Sequence, residues 1–155
     1  PKKALKEAVK KSKNMNSEQK KFVCTIAGEA IGQNSTSQRA VANVIMNRTT
    51  STKTVTDVIT APYQFDGYLS PQYKLCMEYL NSRNFQNSVY ENLIANVMPT
   101  YMGLDKDITD GATMYYSPMS MNPKGSAPKT WDFSKLEQVY IEGVDDYEFK
   151  FYKYK

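Results

Sequence analysis

The chain has 155 residues, 41% of them hydrophobic and 23% charged, and a net charge of +4. These are values of one globular domain with a real core, and they exclude a disordered segment. No apolar run approaches the roughly 18 residues a bilayer span needs, and no charged start, apolar stretch and small-residue site marks a leader. There is no histidine, which removes the usual ligands of a zinc peptidase and the base of a Ser-His or Cys-His nucleophile. The catalytic option that remains is acid–base chemistry by Asp or Glu, with no metal and no cofactor expected.

The chain begins at Pro1 rather than Met, as expected of a processed product or a domain from a longer chain or larger assembly. Residues 1–13 read as a basic arm with Lys2, Lys3, Lys6, Lys10, Lys11 and Lys13. Such an arm either attracts polyanions or is a solvated, frayed terminus. Residues 14–155 form the body.

Asn16 followed by Gln19 predicts a capping box, opening a helix through Phe22, Val23, Ile26 and Ala30 that Gly32 breaks. Ser35 with Gln38 predicts a second helix through Val41, Val44 and Ile45 to Arg48. Thr54 with Asp57 starts a short third that ends before Pro62, and Ser70-Pro71 a fourth carrying Leu75, Met77, Tyr79 and Leu80. Ser88 with Glu91 starts a fifth, through Leu93, Ile94 and Val97, expected to stop near Pro99 and Gly103. After Asp110-Gly111 the character changes: a strand at 112–116, a Pro/Gly/Ser-rich loop at 119–129, and one or two strands within 138–154. The expected fold is α+β, mainly α, with a small β element toward the C-terminus. Cys24 and Cys76 sit in apolar, helix-like contexts and read as buried thiols, a single bridge being the alternative. Trp131 is expected in the core. Twelve tyrosines fit either a carbohydrate groove or a core.

Glu29 stands out. It lies seven residues after Phe22 and three after Ile26, on or beside the apolar stripe of the first helix. A carboxyl there is desolvated, holds its proton at higher pH, and can protonate a leaving oxygen. On spacing alone it can equally be an edge residue that reaches solvent or pairs with a cation.

Ile26-Ala27-Gly28-Glu29-Ala30-Ile31-Gly32-Gln33 and the following Gln38 to Arg48 stretch resemble the opening of the SleB-type cell wall hydrolases. These include spore-cortex-lytic enzymes and bacterial and phage lysins, with a helix of the form G-Q-x-A-V-A-x-V-I-x-N-R. Tyr63-Gln64-Phe65 resembles the family's Q-F-S loop, and Gly111 to Pro118 its G-A-x-Y-Y-x-N-P strand. The resemblance implies a lysozyme-like fold and a catalytic domain over residues 14–155. It also implies cleavage of peptidoglycan glycan strands between N-acetylmuramic acid and N-acetylglucosamine, with Glu29 as catalytic acid in a lytic transglycosylase. The place of action it implies is the bacterial wall, outside the membrane or on a virion, with no nucleic-acid or membrane partner. Gln64, Phe65, Tyr115 and Tyr116 are its candidate substrate-binding residues, although the aromatic ones also fit core packing and one of the two adjacent tyrosines must face inward.

Two departures bear on this. Asp66 stands where the family more often has Ser or Thr. It is either a turn residue ahead of Gly67 or a second working carboxylate that would make the enzyme a hydrolytic muramidase. Tyr147 falls where a family His is often seen. A competing reading takes 27–48 as a helix-turn-helix that sends Ser35, Ser37, Gln38 and Arg39 into a DNA major groove. A third keeps the fold as a noncatalytic wall-binding module, against which Glu29 speaks.

Overall fold

The computed structural model describes residues 14–84 and 86–155; the proposed basic arm at 1–13 lies outside the described residues. Among the described residues five α-helices come first: α1 Ser17–Ala30, α2 Ser35–Asn47, α3 Val55–Thr60, α4 Pro71–Ser82 and α5 Ser88–Tyr101. Three short strands follow, β1 Met114–Tyr116, β2 Leu136–Val139 and β3 Lys150–Tyr154, in an antiparallel sheet of order β1-β3-β2. The fold is thus α+β and mainly α, as the sequence predicts. No described helix is long and apolar enough to cross a membrane.

The helix starts follow their caps. Asn16 and Gln19 form the predicted capping box, as do Thr54 and Asp57, and Ser70 caps α4 with Pro71 at its first position. The cap of α2 lies one residue before the predicted Ser35: the Asn34 side chain accepts from the Ser37 N–H. α5 shifts likewise, with Asn87 accepting from Val89 and Tyr90. It runs through Pro99 to Tyr101, ending between Pro99 and Gly103 as predicted. Proline leaves the carbonyl one turn earlier without its N–H, and that carbonyl belongs to Ala95, an exposed residue that water can reach.

α1 is the central helix. Phe22, Val23, Cys24, Ile26 and Ala27 are fully buried, and α1 packs against α2, α3, α4 and α5. Cys24 meets Cys76 of α4. Both are free and buried, and the neighbouring Cys76 thiol, together with burial, pushes the Cys24 thiol far up from its ordinary value. In the sheet, Tyr115 pairs with Phe151 and Phe151 with Val139, which places all three on the face turned to the helices. The other face carries Tyr116, Tyr152, Trp131 and Phe133 in mutual ring contact. Trp131 is therefore half-buried on the outer side of the sheet rather than in the main core. The 119–129 region forms the predicted connection, opening with a single 3-10 turn at Pro118–Ser120.

Candidate active site

Glu29 is the second-last residue of α1, where the buried stripe reaches the end of the helix and meets the loop between α3 and α4. One carboxylate oxygen accepts from the Tyr115 hydroxyl at 2.6 Å. The other accepts from the Gly67 N–H at 3.1 Å. Each oxygen keeps a further acceptor position, so both bonds can persist while the group carries a proton.

The Gly67 contact depends on two missing side chains. A Cβ on Gly28 would overlap the Gly67 carbonyl and stand 2.5 Å from Ser70 Oγ. A Cβ on Gly67 would stand 2.7 Å from the Thr25 carbonyl and 2.8 Å from Glu29 Cγ and N. Backbone therefore lies directly on backbone, and this brings the 61–70 loop within hydrogen-bonding reach of the carboxylate. Tyr115 is fixed from behind by Phe149 and Phe151, at ring separations of 5.7 and 5.5 Å.

Burial is the main force on Glu29 and raises its pKa above the ordinary glutamate value. The charge of Asp66 adds to the rise, while the Tyr115 and Gly67 hydrogen bonds and the Arg48 charge oppose it. Tyr115 is pushed well up by burial and by Glu29, so its hydroxyl stays a donor. Arg48, the C-cap of α2, joins the pieces: Nε donates to the Thr113 carbonyl at 2.6 Å and one terminal nitrogen to Gln64 Oε1 at 3.2 Å. Its guanidinium lies 4.9 Å from the centre of the Phe65 ring.

The candidate residues are placed as follows. Glu29 and Tyr115 are bonded directly. Gln64 is exposed at the mouth of a groove of about 800 Å³, whose walls include Arg48, Tyr63, Tyr115, Trp131 and Tyr154. Phe65 is buried beneath Arg48 at 6% exposure and offers no open face. Tyr116 faces the outer aromatic cluster, with its ring 5.5 Å from Trp131. Asp66 is exposed beside Gly67, and its charge is felt at both Glu29 and Tyr115. Tyr147, at the position of the family's histidine, is half exposed, and its carbonyl accepts from the Met119 N–H.

Sequence reading missed Gly28, Gly67, Arg48 and Tyr63 as site residues. A Gly one residue before a stripe-borne Glu was the available signal for the first. The helix-turn-helix reading finds Ser35 exposed but its other three readers occupied. Ser37 is fully buried, and Gln38, at 6% exposure, accepts from Asn96 and donates to the Ala30 carbonyl. Arg39 donates to the Lys106 carbonyl. A second concavity of about 610 Å³ lies at that end of α2, between Arg39, Asn96 and Tyr140, away from Glu29. Among the described residues no group of three or more His, Cys, Asp or Glu could hold a metal ion.

A partly desolvated carboxyl is held by a backbone N–H and by the phenol of Tyr115, which itself lines the aromatic groove; such an arrangement is a candidate for proton transfer. Residues 32–141 match the Cell Wall Hydrolase family model, and the chain belongs to that family, in agreement with its SleB-type motifs. It is accordingly a peptidoglycan-degrading enzyme that acts at the cell wall. The matched segment starts at Gly32, so Glu29 and the strand β3 lie just outside it. No curated protein and no solved structure shows a significant match.

Proposed function

We propose that the chain cleaves the glycan strand between N-acetylmuramic acid and N-acetylglucosamine as a lytic transglycosylase, with Glu29 as acid and then base. The observation that carries this reading is the protonation-favouring environment of Glu29, bonded to Tyr115 and Gly67. In the first step the Glu29 proton passes to the glycosidic oxygen as the bond from the muramoyl anomeric carbon breaks. The carboxylate then takes the proton of the muramoyl 6-hydroxyl, whose oxygen closes on the anomeric carbon. A 1,6-anhydro sugar forms, no water is consumed, and Glu29 ends protonated as it began. Tyr115 and the Gly67 N–H stabilise the carboxylate between the two steps.

One observation favours a second reading. Asp66 is exposed next to Gly67, and its charge reaches Glu29; a carboxylate there could activate water and make the enzyme a muramidase. Mass spectrometry of released muropeptides separates the two, since the anhydro product is lighter by one water. We expect anhydro products from the wild type and from Asp66→Asn. Reducing-end products lost in Asp66→Asn would establish the muramidase. Glu29→Gln keeps the volume and removes the proton, so clearing of peptidoglycan should fall by about 10²- to 10⁴-fold. Full clearing by that variant would overturn the assignment.

A further inference from the structure

The loop that delivers Gly67 to Glu29 opens with the turn Ala61-Pro62-Tyr63-Gln64, closed by the Gln64 N–H donating to the Ala61 carbonyl at 3.3 Å. Pro62 stands second and Tyr63 third with φ of 60°, the arrangement of a type II turn, whose third position ordinarily takes glycine. A tyrosine in the left-handed region is strained. Nothing in the free protein compensates, for the Tyr63 side chain is fully exposed, at 101% of its reference area. Leu69 shares the positive φ but is not among the groove residues. Tyr63 is on the groove wall, together with Tyr115, Trp131 and Tyr154, and Tyr115 connects that wall to Glu29.

An exposed aromatic ring held at a strained position on the wall of a groove whose Tyr115 hydrogen-bonds Glu29 is explained by what it meets on binding. We infer that Tyr63 is a sugar platform: its ring stacks on an N-acetylhexosamine of the glycan strand lying across the groove toward Trp131, and so sets how tightly the strand is held. The apolar face of a pyranose suits such a ring, and the hydroxyls at its edge suit Gln64, Lys53 and the Arg48 side of the wall. This rests on the glycan-cleaving reading for the identity of the ligand, but its test does not depend on cleavage.

Trp131, the chain's single tryptophan, lines the same groove and reports binding directly. Chitotetraose titrated into the wild-type protein should change Trp131 fluorescence saturably. Tyr63→Phe, which keeps the ring, should bind within about twofold of wild type, and Tyr63→Gly should bind about three- to tenfold more weakly. The melting temperature of Tyr63→Gly should hold or rise, because the strain is relieved and no packing is lost. That opposition of weaker binding and undiminished stability is what a merely structural tyrosine would not give. Equal binding by Tyr63→Gly would overturn the inference, as would a marked drop in its melting temperature accompanied by loss of binding. Peptidoglycan digestion by the wild type is scored separately. Failure there with Tyr63-dependent chitotetraose binding rejects the cleavage reading alone, whereas digestion with Tyr63-independent binding rejects the platform alone.

Discussion

Gly67→Ala tests the contact on which the site depends. The added Cβ would stand 2.7 Å from the Thr25 carbonyl and 2.8 Å from Glu29 N, both backbone atoms inside α1 and unable to yield separately. Two relaxations remain: the 61–70 loop lifts off the helix, or Glu29 Cγ, also at 2.8 Å, rotates away. The first breaks the Gly67 N–H bond to the carboxylate, and the second takes the carboxylate off Tyr115. Overpacking of a tight contact costs about 1–3 kcal/mol, and losing a hydrogen bond to an ionisable group adds about 1.5–3 kcal/mol. For a chain of this size that is a fall of roughly 5–20 °C in melting temperature. Calorimetry measures the fall, and turbidity clearing of peptidoglycan well below the melting point should show at least about tenfold less activity. Gly32→Ala is the control, since a Cβ there meets nothing within 4 Å and should leave both readings unchanged. Wild-type melting and clearing in Gly67→Ala would refute the close-approach argument.

Tyr115→Phe removes a hydrogen bond that holds the Glu29 pKa down. If Glu29 is the acid proposed above, it works when protonated, so the alkaline limb of the kcat/KM profile should move to higher pH, and an unmoved limb would mean it belongs to another group. Asp107 accepts from Thr109, Gly111 and Asn47; burial opposes these bonds, but together they hold its pKa below the ordinary value. A depressed carboxyl stabilises the fold above its unfolded pKa and stops doing so as pH falls through its folded one. Asp107→Asn should therefore cost about 1 kcal/mol in urea unfolding at neutral pH, and the gap should close in acid. The paired thiols of Cys24 and Cys76 should ignore a thiol reagent in the native protein and react on unfolding; rapid native reaction would contradict their burial.

What the sequence disclosed was what is written locally. The Asn16–Gln19 and Thr54–Asp57 boxes and Ser70-Pro71 are spaced by the helix itself, so they predict its first turn. Glu29 was legible because its offset from Phe22 and Ile26 sets its face. The partners of Glu29 were less so. The alternation rule put one of Tyr115 and Tyr116 inward without saying which; the pairing of Tyr115 with buried Phe151 decides it. Gly67 contacts α1 from far along the chain, and no local pattern announces that its missing Cβ answers the missing one at Gly28. Trp131 was misplaced because its neighbours Tyr116 and Tyr152 come from two strands that only the folded sheet brings together. The Asn34 and Asn87 caps were each missed by one residue because a serine followed them.

The order β1-β3-β2 has a consequence for when the site can exist. β1 is an edge strand whose only sheet neighbour is β3, so the residues that hold Tyr115 from behind, Phe149 and Phe151, come 34 and more positions after it in the chain. Helices α1 to α5 and β1 can be synthesised while the phenol opposite Glu29 still has no backing. A nascent chain that has not reached Tyr154 thus carries Glu29 and Tyr115 without the rings that back the phenol. That backing arrives late, when β3 takes its place between β1 and β2.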